Sequence, residues 1–129
     1  MHLTHIPHAD QVTKSYHRAV IAGGFVFPCG QIPTDPEGNT PDSMRDQTLV
    51  ALNNLEKELL SFGSSLKSIV QVTVYLCSQD DFLDYDNAWR EKFTGKPLPP
   101  RTTVFVSGFR GNKRIEITAI AAKEEESRR

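Results

Sequence analysis

The chain has 129 residues, 38% of them hydrophobic and 24% charged, and its 15 Lys and Arg against 16 Asp and Glu give a formal net charge of −1. That length and mixture describe one globular domain able to bury a core without disulfide or metal staples, and they exclude a disordered chain. A near-neutral balance without a Lys/Arg run is the wrong footprint for neutralising many phosphates, so nucleic acid is not an expected partner.

Residues 1–17 read as polar and irregular. His2, His5 and His8 recur every three residues, but Pro7 interrupts them and no carboxylate or cysteine completes a ligand set, so we expect a solvated segment and no metal site. There is no basic region followed by an apolar one, as a secretory leader would need. Ala19 to Phe27 holds two apolar runs around Gly23-Gly24, the pattern of a β-hairpin with a tight primed turn. Pro28 cannot donate a ladder hydrogen bond, which predicts an edge or a bulge there, and Cys29-Gly30-Gln31 is expected to be irregular and open to a ligand. Pro33 to Pro41 is a loop by composition.

Ser43 to Phe62 is the clearest helix: Met44, Thr48, Leu52, Leu55, Leu59 and Phe62 form one stripe, with a Ser43–Asp46 capping start and Gly63 at the stop. Ile69 to Cys77 alternates, placing Val70, Val72, Val74 and Leu76 on one face and Gln71, Thr73 and Tyr75 on the other. A second helix opens at Ser78-Gln-Asp-Asp81 and carries Phe82, Tyr85, Trp89 and Phe93 as core residues. Pro97, Pro99 and Pro100 end helical structure and feed an extended segment. Arg101 to Val106 and Arg114 to Ala122 read as strands, the second with Ile115, Ile117, Ala119 and Ala121 on its apolar face and Glu116 and Thr118 on the other. Residues 123–129 are a charged tail, expected to fray. The order β-β-α-β-α-β-β predicts a single α+β domain, a mixed sheet with two helices on one face. The other face, bearing Thr, Gln, Tyr and Arg, is expected to meet another subunit.

Few residues announce chemistry by motif. All four histidines precede residue 18, so no Ser-His-Asp or Cys-His arrangement suggests itself, and neither GxxxxGK[ST] nor GxGxxG occurs. Cys29 and Cys77 stand far apart outside any CxxC pair, which fits a reducing, cytoplasmic setting without a disulfide or zinc. No apolar run approaches a membrane span. The stiff Pro99-Pro-Arg-Thr-Thr103 block is the exception, because a guanidinium on a rigid base matches a carboxylate with two parallel hydrogen bonds. Taken alone, the same arginine reads first as a surface ion pair.

Several blocks, in order, resemble the reactive-intermediate deaminase (Rid, YjgF-type) family: Gly30-Gln-Ile-Pro33, Gln47-Thr-Leu-Val-Ala-Leu-Asn-Asn-Leu55, Gly63-Ser-Ser-Leu66, Pro100-Arg-Thr-Thr-Val104 and Ile115-Glu-Ile-Thr-Ala-Ile-Ala121. The resemblance spans roughly residues 15–122. It implies a chorismate-mutase-like fold, a homotrimer with clefts between subunits, and cofactor-independent hydrolysis of 2-imino or 2-enamino carboxylates to 2-keto acids and ammonia. Residue by residue, it implies that Arg101 anchors the substrate carboxylate. Tyr16, Cys29, Gly30, Asp86 and Thr103 would line the substrate site, with no metal. Thr118 would stand where a water-orienting Glu is expected, with Glu116, two residues earlier, read as a surface carboxylate. The competing expectations are a trimer that binds 2-keto acids without turnover and, more remotely, a ribonuclease or translation inhibitor.

Overall fold

The computed structural model describes residues 1–124; of the tail 123–129 expected to fray, Lys123 and Glu124 are held by backbone bonds to the Gly24 and Gly63 carbonyls, and residues 125–129 lie outside the described residues. The elements are β1 (Thr4–Ile6), β2 (Ala19–Ala22), β3 (Phe25–Pro28), α1 (Met44–Ser61), β4 (Ile69–Leu76), α2 (Phe82–Lys92), β5 (Arg101–Phe105) and β6 (Ile115–Ala122). They form one six-stranded mixed sheet in the order β1-β2-β3-β6-β4-β5, with β4 and β5 parallel and the other pairs antiparallel. The α+β architecture expected from sequence is therefore present, with one addition. The N-terminal segment is not wholly irregular, because Thr4–Ile6 adds an edge strand to β2.

Each element has a local cause. Gly23 and Gly24, at φ +57° and +82°, make the two-residue primed turn that closes β2 onto β3. Ser43 accepts a hydrogen bond from the Asp46 N–H at 3.0 Å and caps α1, a contact of ~1 kcal/mol. At the other end the Ser64 N–H reaches the Leu59 carbonyl at 2.8 Å, while Gly63 takes the positive φ of +78° that such a stop requires. Leu52, Leu55 and Leu59 of α1 meet Val72, Val74, Ile115, Ile117 and Val26 of the sheet, and Tyr85, Trp89 and Phe93 of α2 complete the core. Truncating one of these leucines to alanine would cost about 2–5 kcal/mol.

Two core expectations change. Val70 is 43% exposed, and Ile69 takes its place in the core. The register against β6 slips between Ile69 and Gln71, so Val70 is the extra residue of a bulge that reverses the alternation upstream. Phe82 is 38% exposed, because α2 is entered through a 3-10 turn at Gln79–Asp81 and its buried stripe begins at Tyr85.

Pro28 has the larger consequence. The neighbouring Cys29 N–H donates to the Arg18 carbonyl of the β2 side at 2.9 Å, so position 28 faces β6 and offers no donor there. β3 accordingly pairs with β6 at Phe25 and Val26 only, and contact resumes at the isolated bridge between Gln31 and Ile117. Five steps on one strand oppose four on the other, and the two chains part between those points. The helix-free face of the sheet carries Thr73, Tyr75, Glu116 and Thr118 as expected, together with exposed Phe25, Phe27 and Val104. Arg101 is not on it: it pairs with Val72, whose side chain enters the core, so Arg101 lies on the helix side.

Candidate functional site

Three separate places hold the residues expected at the site. The first is a recess of about 210 Å³ lined by Asp86, Trp89, Arg90, Leu98, Pro99 and Arg101. Arg101 opens β5, and the strand start is fixed by the Val72 N–H bonding to the Pro100 carbonyl at 3.0 Å. Its guanidinium lies over the rings of Tyr85 and Trp89, with centroids 4.9 and 5.1 Å away, a cation–π seat that removes most of its freedom. Its Nη2 donates to Asp86 Oδ1 at 2.9 Å, and Arg90 Nε donates to the other oxygen, Oδ2, at 3.1 Å. Among the described residues its Nε and Nη1 have no partner. Burial pushes the Asp86 carboxyl up, but the hydrogen bonds from Arg101 and Arg90 outweigh it and hold the group below the usual carboxylate range. Thr103, two residues along the same strand face, hydrogen-bonds the Tyr85 hydroxyl at 2.7 Å, and burial pushes that phenol up. The ion pair that the motif alone favoured for Arg101 thus exists, partly buried, and it leaves Nε and Nη1 without a partner among the described residues.

The second place is a cleft of about 660 Å³ that brings together Tyr16, Cys29 and Gly30. Its other walls are His8, Arg18, Gln31, Ile32, Asn54, Glu58 and Glu116. Gly30 makes room here, since a Cβ at this position would push the carboxylate of Glu116 aside. Arg18 is clamped by Glu58, donating from Nε at 2.8 Å and from Nη2 at 2.8 Å, while its plane covers the Phe62 ring at 4.7 Å. Glu116, by contrast, makes no hydrogen bond or ion pair among the described residues. Burial, reinforced by the negative charge of Glu58, pushes the Cys29 thiol up, so this sulfur is a poor thiolate at neutral pH. His8, expected to be solvated, packs edge-on against Tyr16 with ring centroids 5.3 Å apart, and its Nε2 is buried without a partner.

Thr118 belongs to neither place. It lines a groove of about 220 Å³ with Phe27, Pro28, Gln71, Thr73, Ala119 and Ile120, where β3 and β6 have parted. Thr118 pairs with Thr73 and Arg101 pairs with the preceding Val72, so the two side chains project from opposite faces of the sheet. The expectation that Arg101 and Thr118 act together is therefore not met within one chain. The carboxylate that does enter the cleft is Glu116, which sequence reasoning left on the surface. Its signal was Gly30, a residue whose missing side chain makes room for a neighbour that local pattern does not name.

The arrangement offers an open guanidinium edge beside a seated carboxylate, and an unpaired carboxylate in a polar cleft. No group of three or more His, Cys, Asp or Glu able to hold a metal occurs among the described residues, and no described helix is long and apolar enough to cross a membrane.

This is the setting in which the known proteins resembling the chain become informative. The family model described as Endoribonuclease L-PSP matches residues 7–123, and the chain belongs to that family, the YjgF/Rid family. It is 40% identical over 111 residues to a RutC family protein of Pyrococcus horikoshii, covering 84% of this chain and 87% of that protein. It is 30% identical over 111 residues, with 84% and 86% covered, to the Escherichia coli protein named "Putative reactive intermediate deaminase TdcF". Among solved structures, Escherichia coli TdcF with bound serine superposes with a TM-score of 0.82 at 28% identity, covering 93% of this chain and 94% of that one. A Rid family protein, YyfA of Yersinia pestis, gives 0.84 at 26% identity, covering 94% and 99%.

Proposed function

We propose that the protein hydrolyses small reactive 2-imino or 2-enamino carboxylates to 2-keto acids and ammonia, with Arg101 holding the carboxylate. The observation that carries this reading is the half-free guanidinium of Arg101, stacked on Tyr85 and Trp89 and facing a recess sized for a ligand of a few heavy atoms. Nη2 keeps a second hydrogen beside its bond to Asp86, and with an open neighbouring N–H it matches a carboxylate in a bidentate pair. The relation to a protein named as a reactive intermediate deaminase, and the serine bound to TdcF, point to the same class of ligand.

In this reading the working site is completed by assembly. Three chains close so that the Arg101 recess of one meets the Tyr16–Cys29–Gly30–Glu116 cleft of the next. Exposed Phe25, Phe27 and Val104 on the helix-free face supply apolar area for such contact. A protonated imine is already electrophilic at C2, so the protein has chiefly to hold it and manage protons. Glu116 takes a proton from water as the oxygen adds to C2. The tetrahedral adduct then loses its C–N bond as the Glu116 proton passes to the departing nitrogen, the adduct hydroxyl gives up its own proton as the ketone forms, and a 2-keto acid and ammonium result. Atoms and charge balance without an electron acceptor. The role first expected of Thr118 passes to Glu116.

The test generates iminoalanine with an amino acid oxidase and follows keto acid release in the presence of wild type and Arg101→Ala. Wild type accelerates release, and the variant loses roughly 100-fold of that effect, the scale of a lost desolvated charge pair. A wild-type rate equal to buffer overturns hydrolysis. Arg101-dependent binding of 2-keto acids without turnover would then leave a carboxylate-binding module.

A further inference from the structure

The Arg101 recess contains a feature that a plain carboxylate site does not need: a second carboxylate. Asp86 and Arg101 line the same cavity, joined at 2.9 Å, and Arg90 donates to the other oxygen of Asp86 at 3.1 Å. A ligand carboxylate on the remaining N–H groups of Arg101 would therefore sit beside the negative charge already bound at Nη2. For an anion such as a 2-keto acid, that repulsion offsets part of the pull of Arg101 and Arg90 with no contact in return. For a ligand with a positive nitrogen on the carbon next to its carboxylate, the same charge is an attraction. Asp86 has room for it, since a carboxylate offers about four acceptor positions and the two arginines use two.

We propose that Asp86 reads the cationic nitrogen of the ligand, so that the Arg101–Asp86 pair selects a zwitterion over the anionic 2-keto acid. Arg101 takes the carboxylate and Asp86 takes the adjacent iminium or ammonium. This rests on the functional reading above and gives it a direction. The protonated 2-imino acid is held, and once C2 carries a ketone in place of the nitrogen the product is left facing Asp86 unpaired and is expelled. Amino acids, being zwitterions of the same layout, enter the same recess and compete. The depressed titration of Asp86 keeps the selecting charge in place throughout the neutral range.

The experiment is calorimetry on the full-length assembled protein with two probes of one carbon skeleton, L-2-aminobutanoate and 2-oxobutanoate. Wild type binds the amino acid more tightly. Asp86→Asn keeps an oxygen for Arg101 Nη2 but removes the charge, and it shifts the ratio of the two affinities toward the keto acid by about tenfold, equivalent to ~1.4 kcal/mol. A wild type that prefers 2-oxobutanoate overturns the inference even if the variant fails to fold. Binding of both probes with the same ratio in wild type and Asp86→Asn overturns it as well. Failure of wild type to bind either probe overturns the carboxylate reading of Arg101 itself, a result distinct from the other two.

Discussion

The Arg101 recess and the Glu116 cleft make opposite use of charge. In the recess every ionic group is engaged: Arg101 and Arg90 converge on Asp86, and two aromatic rings floor the guanidinium. In the cleft Arg18 and Glu58 neutralise one another, while Glu116 lies against Gly30 without a counter-ion among the described residues. Prior engagement fixes direction and suits recognition, because an ordered guanidinium loses little freedom on binding. A carboxylate that makes no hydrogen bond or ion pair among the described residues is free to exchange a proton and suits proton transfer. The contrast separates holding from reacting, and each half can be perturbed alone.

The largest effect is expected at the reacting half. Glu116→Gln keeps the shape of the side chain but cannot take a proton, and should lower kcat for imine hydrolysis by roughly 100- to 1,000-fold with less than about a twofold change in KM. Thr118→Ala, one pleat along the same face, should change kcat by less than about twofold in the same assay. Equal losses in both would dissolve the distinction between Glu116 and Thr118.

Gly30→Ala sharpens the comparison at smaller scale. The new methyl displaces the Glu116 carboxylate and should cost about tenfold in kcat, since displacements near 1 Å at a reacting group are costly. Binding of L-2-aminobutanoate should change by less than about twofold, because the recess is untouched.

The smallest effect concerns stability. The folded-state titration of Asp86 lies below its ordinary value, so its contribution is complete above the unfolded carboxylate range and is lost as pH falls through the lower folded value. Between pH 5 and pH 3, wild type should lose up to ~1 kcal/mol more than Asp86→Asn in denaturant titrations, a modest figure because the pair remains partly solvated. A larger loss in the variant would reverse the sign of this linkage.

What the sequence disclosed follows the range of the interactions involved. The hairpin at Gly23-Gly24, the capped helix from Ser43 and the alternating strand from Ile115 are all written in neighbouring residues, and the expected elements match them. Val70 was misplaced because a bulge depends on the partner strand, and Thr4–Ile6 because three polar residues become a strand only when β2 is beside them. The same limit governed the site. The family blocks put Tyr16, Cys29, Gly30, Asp86, Arg101 and Thr103 in one site; within the chain the first three line one cleft, while Arg101, Asp86 and Thr103 gather against α2. Nothing local separates Glu116 from Thr118, which share a face of β6; the loop after Pro28 decides which of them borders the cleft. Nor does any local pattern say that Arg101 turns toward the helices, because that follows from its register with Val72.

The prolines that stiffen the approach to Arg101 also govern what can attach there. β5 is the outermost strand of the sheet, and an unprotected edge invites pairing by any extended segment that drifts past. Pro97, Pro99 and Pro100 lack backbone donors, so a foreign strand zipping along β5 runs out of partners as it reaches Arg101. The same stretch that aims the guanidinium thus serves as a gatekeeper against runaway strand addition along β5.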